Sequence, residues 1–235
     1  MNFYLSLIVI FMCNISVAQA NLVTGIGYIS PEEYRTDNEI NPLPLGLSFV
    51  PMIAYHSERL RIYGPNISYN LLRGSIGFDL KINVVGDRYQ AYEVEKRDTA
   101  INGGASIRLF FLSIHYGSDI ARTYNGNMMA VSLVHRFKFG EKLTIIPRFS
   151  KEYLNKSFTR YYYGVRDNET GEFRAYTLNE AVNDIYALNS SLKLDEQSSI
   201  ALSYAYKKFD NEIFKSPTIA LKGYSTWSLF WNFKI

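Results

Sequence analysis

His115, Ser118 and Asp119 are the one local grouping in this chain whose types and spacing could support hydrolysis. A hydroxyl nucleophile needs a base within hydrogen-bond reach, and the base needs an acid to orient it. No motif surrounds the trio, and an isolated histidine before a polar turn accounts for the same letters. No catalytic residue is assigned, and a Ser/His/acid site stays a third reading. His56 and His135 stand alone, and the single cysteine, Cys13, lies near the start of the chain, so no metal cluster is expected. Gly103-Gly104 falls inside an alternating stretch rather than in a phosphate-cradling loop. No cofactor is expected, and nothing resembles a dense Lys/Arg run for nucleic acid.

A second chemistry is spread along the chain. Arg61, Lys81, Arg108, Arg136, Lys138, Arg148, Lys193, Lys207 and Lys234 fall on the polar side of alternating segments, and Asp79 is the clear acid among them. Asp79, Lys81, Arg108, Arg136, Lys138 and Arg148 are therefore the candidate charges of an enclosed polar surface that attracts anions. Lys and Arg solvated at the ends of strands would give the same pattern. Upstream, Glu32, Glu33, Asp37 and Glu39 stand against Arg35. That acidic segment is expected to enter the basic interior and pair with it.

The elements that must carry these residues are strands. At the C-terminus Trp227, Leu229, Trp231, Phe233 and Ile235 share one face, Ser228, Asn232 and Lys234 the other, and Phe230 is the one break. This is the two-residue period of a β-strand. Ile76, Phe78, Leu80, Ile82 and Val84 alternate in the same way with Ser75, Gly77, Asp79, Lys81 and Asn83. Hydrophobic residues make up 47% of the 235, yet mean hydropathy is −0.11, as alternation rather than clustering requires. Met1 to Ala20 reads as a secretory signal: an apolar run from Leu5 to Met12, then Ala18-Gln19-Ala20 as a small-x-small cleavage site. Its N-terminal Asn2-Phe3-Tyr4 lacks the usual Lys or Arg, and Met12 before Cys13 argues against lipidation. Cleavage would remove Cys13, leaving no disulfide. No other apolar run approaches the ~18 residues of a membrane helix.

An apolar, aromatic face on sheet after sheet segment fits lipid, and only a closed barrel can present it there. The expected fold is an all-β, closed antiparallel transmembrane barrel of about 10 strands, with 12 as the alternative. The expected division is 1–20 signal peptide, 21–43 N-terminal segment that could plug the lumen, and 44–235 barrel. In this scheme Leu60 to Asn70 is one strand with a bulge at Gly64-Pro65. Connections at 86–99, 119–127, 153–183 and 210–222 share the extracellular side, where Ser57 makes the one short turn. The expected location is the outer membrane of a Gram-negative cell.

Gly25-Ile26-Gly27, Ser30-Pro31-Glu32-Glu33-Tyr34, Pro42-Leu43-Pro44, Tyr161-Tyr162-Tyr163-Gly164-Val165, Ser216-Pro217 and the final aromatic strand, in this order, resemble the MipA/OmpV outer-membrane proteins. The family's last strand usually ends in Phe, whereas here Lys234-Ile235 follows Phe233. The resemblance implies an outer-membrane barrel without catalytic residues. One member is named for interacting with a lytic transglycosylase and described as a scaffold for murein-synthesis enzymes; others are described as porin-like or as adhesins. Implied partners are membrane lipid, periplasmic murein-synthesis or hydrolase enzymes, and the barrel-assembly machinery through the terminal strand. The alternative function is a small, anion-favouring channel.

Overall fold

The computed structural model describes residues 21–40 and 48–235. The expected signal peptide and the Pro42-Leu43-Pro44 motif lie outside the described residues. These residues form fifteen strands. They are β1 (Asn21–Pro31), β2 (Phe49–His56), β3 (Leu60–Tyr63), β4 (Asn66–Leu72), β5 (Ile76–Val85), β6 (Tyr89–Ala91), β7 (Val94–Arg97) and β8 (Ala100–Leu109). There follow β9 (Leu112–Asp119), β10 (Asn127–Val134), β11 (Phe137–Phe139), β12 (Leu143–Leu154), β13 (Ala181–Lys193), β14 (Ser198–Lys208) and β15 (Gly223–Lys234). Two short helices, α1 (Lys156–Tyr163) and α2 (Asn211–Phe214), lie in connections.

Every wall strand pairs antiparallel with its sequence neighbours, and β1 pairs with β15 from Val23↔Lys234 to Pro31↔Thr226, so the sheet closes on itself. β6 and β7 form a separate two-stranded hairpin, and β11 continues β10 along β12 after a break at His135-Arg136. Twelve wall strands remain, the alternative rather than the count of ten. Both extra strands come from segments misjudged by pattern. Asn21–Pro31 is a wall strand between β2 and β15, not a segment in the lumen. Its glycines weaken the alternation that marks a strand. Gly64-Pro65 is not a bulge but a two-residue hairpin loop joining β3 to β4, with Tyr63 opposite Asn66. Glycine at its first position accepts the positive φ of 53°.

With twelve strands Ser57 changes sides. It lies on the same side as the turns at 73–75, 110–111, 140–142 and 194–197, and the short connection on the loop side is Gly64-Pro65. The connections at 86–99, 120–126, 155–180 and 209–222 all leave from the opposite end, which in this architecture faces the cell exterior. Local chemistry sets the short turns: Asp195 accepts from the backbone N–H of Gln197 at 2.8 Å and of Ser198 at 2.7 Å.

Outward residues are the alternating apolar ones. Ile53, Leu80, Leu188, Leu202, Trp227, Leu229 and Trp231 are all exposed, forming the band that meets acyl chains. Phe230, the break in the terminal pattern, points inward. A Cβ on Gly27 would lie 2.0 Å from its ring, so Gly27 leaves the space that Phe230 fills.

Candidate functional site

Residues directly opposite on paired strands point to the same side of the sheet. The register therefore carries one polar layer around the lumen: Asn70, Asp79, Ser106, His115, Ala130, Glu152 and Asn183 are successive partners across seven strands. Asn70 and Ser106 both donate to Asp79, which is buried. Glu152 accepts from Asn183 Nδ2 at 3.0 Å and pairs with Lys207 Nζ at 2.8 Å. Neighbouring inward positions carry Arg61, Lys81, Arg108 and Arg148. Lys138 is inward but exposed at the short-turn rim, and Arg136 sits in the break between β10 and β11. A cavity of ≈ 420 Å³ is lined by Arg61, Ser68, Lys81, Asn83, His115 and Arg148, and reaches Tyr63 and Asn66 on either side of the Gly64-Pro65 loop. Asn83 and Arg148 also line a second, of ≈ 320 Å³, that reaches Glu152, Lys207, Tyr34, Phe158 and Tyr163.

Tyr34, Phe158 and Tyr163 belong to a cap over the loop end. Asn155 stops β12 and starts α1 by accepting from Phe158 N at 3.0 Å. Phe158 and Tyr162, one turn apart, fall on the same helical face with ring centroids 4.6 Å apart. With Tyr34, Tyr124, Leu154, Tyr163, Leu178, Phe209, Ile213 and Ile219 they form a buried apolar cluster drawn from four connections and the end of β12. Tyr162 donates to Asp98 O at 3.1 Å, and its ring lies where a Cβ on Gly86 would be, at 2.1 Å. Gly86 also has φ +78°, so both space and backbone require glycine there.

Arg35 joins these parts. Its guanidinium meets Asp87 through Nε and Nη2, both at 2.8 Å, and donates to Tyr162 O at 2.8 Å. It lies over the rings of Tyr89 and Tyr163 at 4.7 and 4.9 Å from their centroids. Burial disfavours the charge, but Asp87 outweighs it and keeps Arg35 protonated above its ordinary range. The expected pairing of Glu32, Glu33, Asp37 and Glu39 with lumen cations is not what forms. Glu32 accepts from Ser225 N, and the buried charge of the segment is its one base. A second buried pair, Arg97 with Glu169 at 2.7 Å, ties the β6–β7 hairpin to the loop after α1.

The family profile described as MltA-interacting protein MipA matches residues 24–233, nearly the whole described chain. The chain belongs to the MipA family. Among similar proteins, the putative outer membrane protein YiaT of Escherichia coli (strain K12) is 21% identical over 227 residues, 89% of this chain and 88% of that one. A 24 kDa outer membrane protein of Pasteurella multocida (strain Pm70) is 22% identical, covering 69% of this chain and 66% of its own. The NanC porin structure aligns over 92% of this chain and all of its own at TM-score 0.40 and 10% identity. With relatives named as outer-membrane proteins and a closed barrel bearing an apolar outer band, this MipA-family chain is an outer-membrane protein.

Three of the motifs that carried the family resemblance converge in the cap of this MipA-family chain. Ser216 Oγ donates to Tyr163 O at 2.6 Å, Thr36 N to Thr218 O at 3.1 Å and Ala220 N to Tyr34 O at 2.9 Å. The Glu-Glu-Tyr, Tyr-Tyr-Tyr-Gly-Val and Ser-Pro stretches are thus one structural unit. The hydrolytic trio does not assemble. His115 and Ser118 are an odd number of residues apart on β9, so they face opposite sides of the wall. His115 Nδ1 lies 3.1 Å from Ala105 O, while Asp119 accepts from Tyr124 N at 2.6 Å and Asn125 N at 2.9 Å to close its loop. Sequence reading missed Arg35, Asp87, Arg97 and Glu169 as a set. Their one signal was a lone Arg among acids and a charge-rich loop.

Proposed function

We propose that this MipA-family barrel is a non-enzymatic scaffold that holds periplasmic murein-synthesis or hydrolase enzymes at the outer membrane. The observation that carries the reading is the apolar cluster keyed by Arg35, which packs over the loop end where an open porin would conduct. The family description, MltA-interacting protein, supports a partner among cell-wall enzymes. Such a partner meets the short turns, which carry exposed Phe110 and Phe111. The terminal strand β15, with its aromatic outer face, is the segment offered to the barrel-assembly machinery. The separation of His115 from Ser118 supports a non-enzymatic role. Affinity purification of the full chain from detergent-solubilised envelope should co-purify a murein enzyme, and replacing Phe110 and Phe111 with Ser should lose it. Recovery of no such enzyme would sink the scaffold.

The basic lumen favours a second reading, a small anion-favouring channel with Lys81, Arg108, Arg136, Lys138 and Arg148 along its path and Asp79 as the opposing acid. Planar-bilayer conductance separates the two: the scaffold carries no steady current, the channel carries one selective for anions.

A further inference from the structure

The charge of the lumen is unbalanced in a way that closing a barrel does not require. Among the described residues Arg61, Lys81, Arg108 and Arg148 form no ion pair, although all four are inward. Of the two inward acids near them, Asp79 is engaged by Asn70 and Ser106, and Glu152 by Lys207 and Asn183. Arg61 Nε is buried without a hydrogen-bond partner. Buried donors are normally satisfied, and an unpaired cation in a low-dielectric wall is unfavourable. Three of these cations line the ≈ 420 Å³ cavity, which falls within the range of ~300–1,000 Å³ of small-molecule sites.

The two ends of the lumen differ. Toward the loops the buried cluster of the cap lies over it, against Glu152 and Lys207. At the opposite end the inward-facing Lys138, Lys193 and Lys234 are exposed, so the inner edge of that rim is wet and basic, with the acids Glu58, Glu141, Asp195 and Glu196 on the turns outside it. A cleft lined by one sign of charge with low-dielectric walls focuses its field and concentrates counter-ions.

We propose that the lumen is an anion-binding vestibule entered from the short-turn, periplasmic side, and that its ligand is a small molecule carrying two or more carboxylate or phosphate groups. Arg61, Lys81 and Arg148 hold the anion. The lysine rim draws it in, and the cap prevents it from passing through. The inference goes beyond the scaffold and stands whether or not a protein partner binds the turns.

The test uses a single thiol in the full chain. Cys13 is the only cysteine, so Cys13→Ser with Ser68→Cys leaves one reporter, between Arg61 and Lys81 in register. Protein purified in detergent is treated with a sulfonated, negatively charged methanethiosulfonate and with a trimethylammonium, positively charged one of similar size. The anionic reagent should react at least ~10-fold faster, the low end of electrostatic rate enhancement. Citrate as the probe anion should slow it, and Arg61→Gln with Arg148→Gln should bring the two rates together. Equal rates, faster reaction of the cationic reagent, or no protection by citrate would overturn the site. If the double variant fails to show the mobility shift of a folded barrel, the rate ratio and citrate protection on the parent still decide. A steady anion current through the parent in planar bilayers would overturn the closed end alone.

Discussion

Arg35 and Asp87 are 52 residues apart in sequence and meet through two parallel contacts of 2.8 Å, with the Arg35 side chain fully buried. The pair fixes the segment after β1 to the loop after β5. Tyr162 O and Thr218 Oγ1 take Nη1 of the same guanidinium, so four connections share one side chain. A planar fork serves several acceptors at once, which lysine could not do.

Arg35→Met leaves Asp87 without its cation inside the cap. Removing one partner of a buried pair costs about 3–5 kcal/mol. Because the cost falls on connections rather than on the wall ladder, limited proteolysis should cut the loops of the variant while its barrel keeps the mobility shift of the folded form. Arg35→Lys should restore little. Unchanged loop protection in Arg35→Met would show that the cap does not depend on this pair.

Gly27 and Phe230 make the seam where the ring closes. Gly27→Val must push the Phe230 ring aside, and overpacking of this kind costs about 1–3 kcal/mol. Phe230→Ala should relieve much of it. Unfolding of both single variants and the double in lipid vesicles should therefore be non-additive; strict additivity would mean that the two residues do not share this space.

Leu202 sits on the outer face of β14 opposite Leu229. Leu202→Arg should destabilise the barrel in lipid vesicles by about 2–4 kcal/mol if it lies near the bilayer midplane. The same substitution in a detergent that solvates the charge should cost less. Equal cost in both media would separate this face from lipid.

The cap should respond to pH at both extremes. Burial alone would raise the Glu169 carboxyl, but hydrogen bonds from Arg97 and from the Arg166 backbone outweigh it and hold it below its ordinary 4.5. Its contribution is full above the unfolded value and is lost as pH falls through the folded one, so loop protection should weaken in acid below 4.5. Glu169→Gln should remove that dependence. Burial, then the charge of Asp37, raises the Tyr89 phenol to about 12 against the opposing Arg35. The stability contributed by its donation to Thr36 O at 3.0 Å is full below pH 10 and is lost as pH rises from 10 through about 12. Protease protection measured across both ranges checks the two signs.

The wall was legible because a strand writes its two faces into alternate residues. Ile76 to Val84, Ile200 to Tyr206 and Trp227 to Phe233 each declare outside and inside within ten residues, and the turn residues between them declare the ends. Closure, the outer apolar band, the grouping of long connections at one end and the inward basic residues all follow from that local code. Where the code is faint, count and role are not local: β1, with Gly25 and Gly27 interrupting its alternation, reads as a segment outside the wall, and the two-residue hairpin at Gly64-Pro65 reads as a bulge.

The chain alone settled that this is an alternating, lipid-facing sheet with a basic interior, because side-chain direction along a strand depends only on neighbours two positions away. Only the folded molecule decided that the ring has twelve strands, that Phe230 fills the hollow over Gly27, and that Arg35 rather than the surrounding acids enters the cap. Those outcomes depend on contacts between residues tens to nearly two hundred positions apart, and burial rewards whichever charges find complementary partners there, which no local period records.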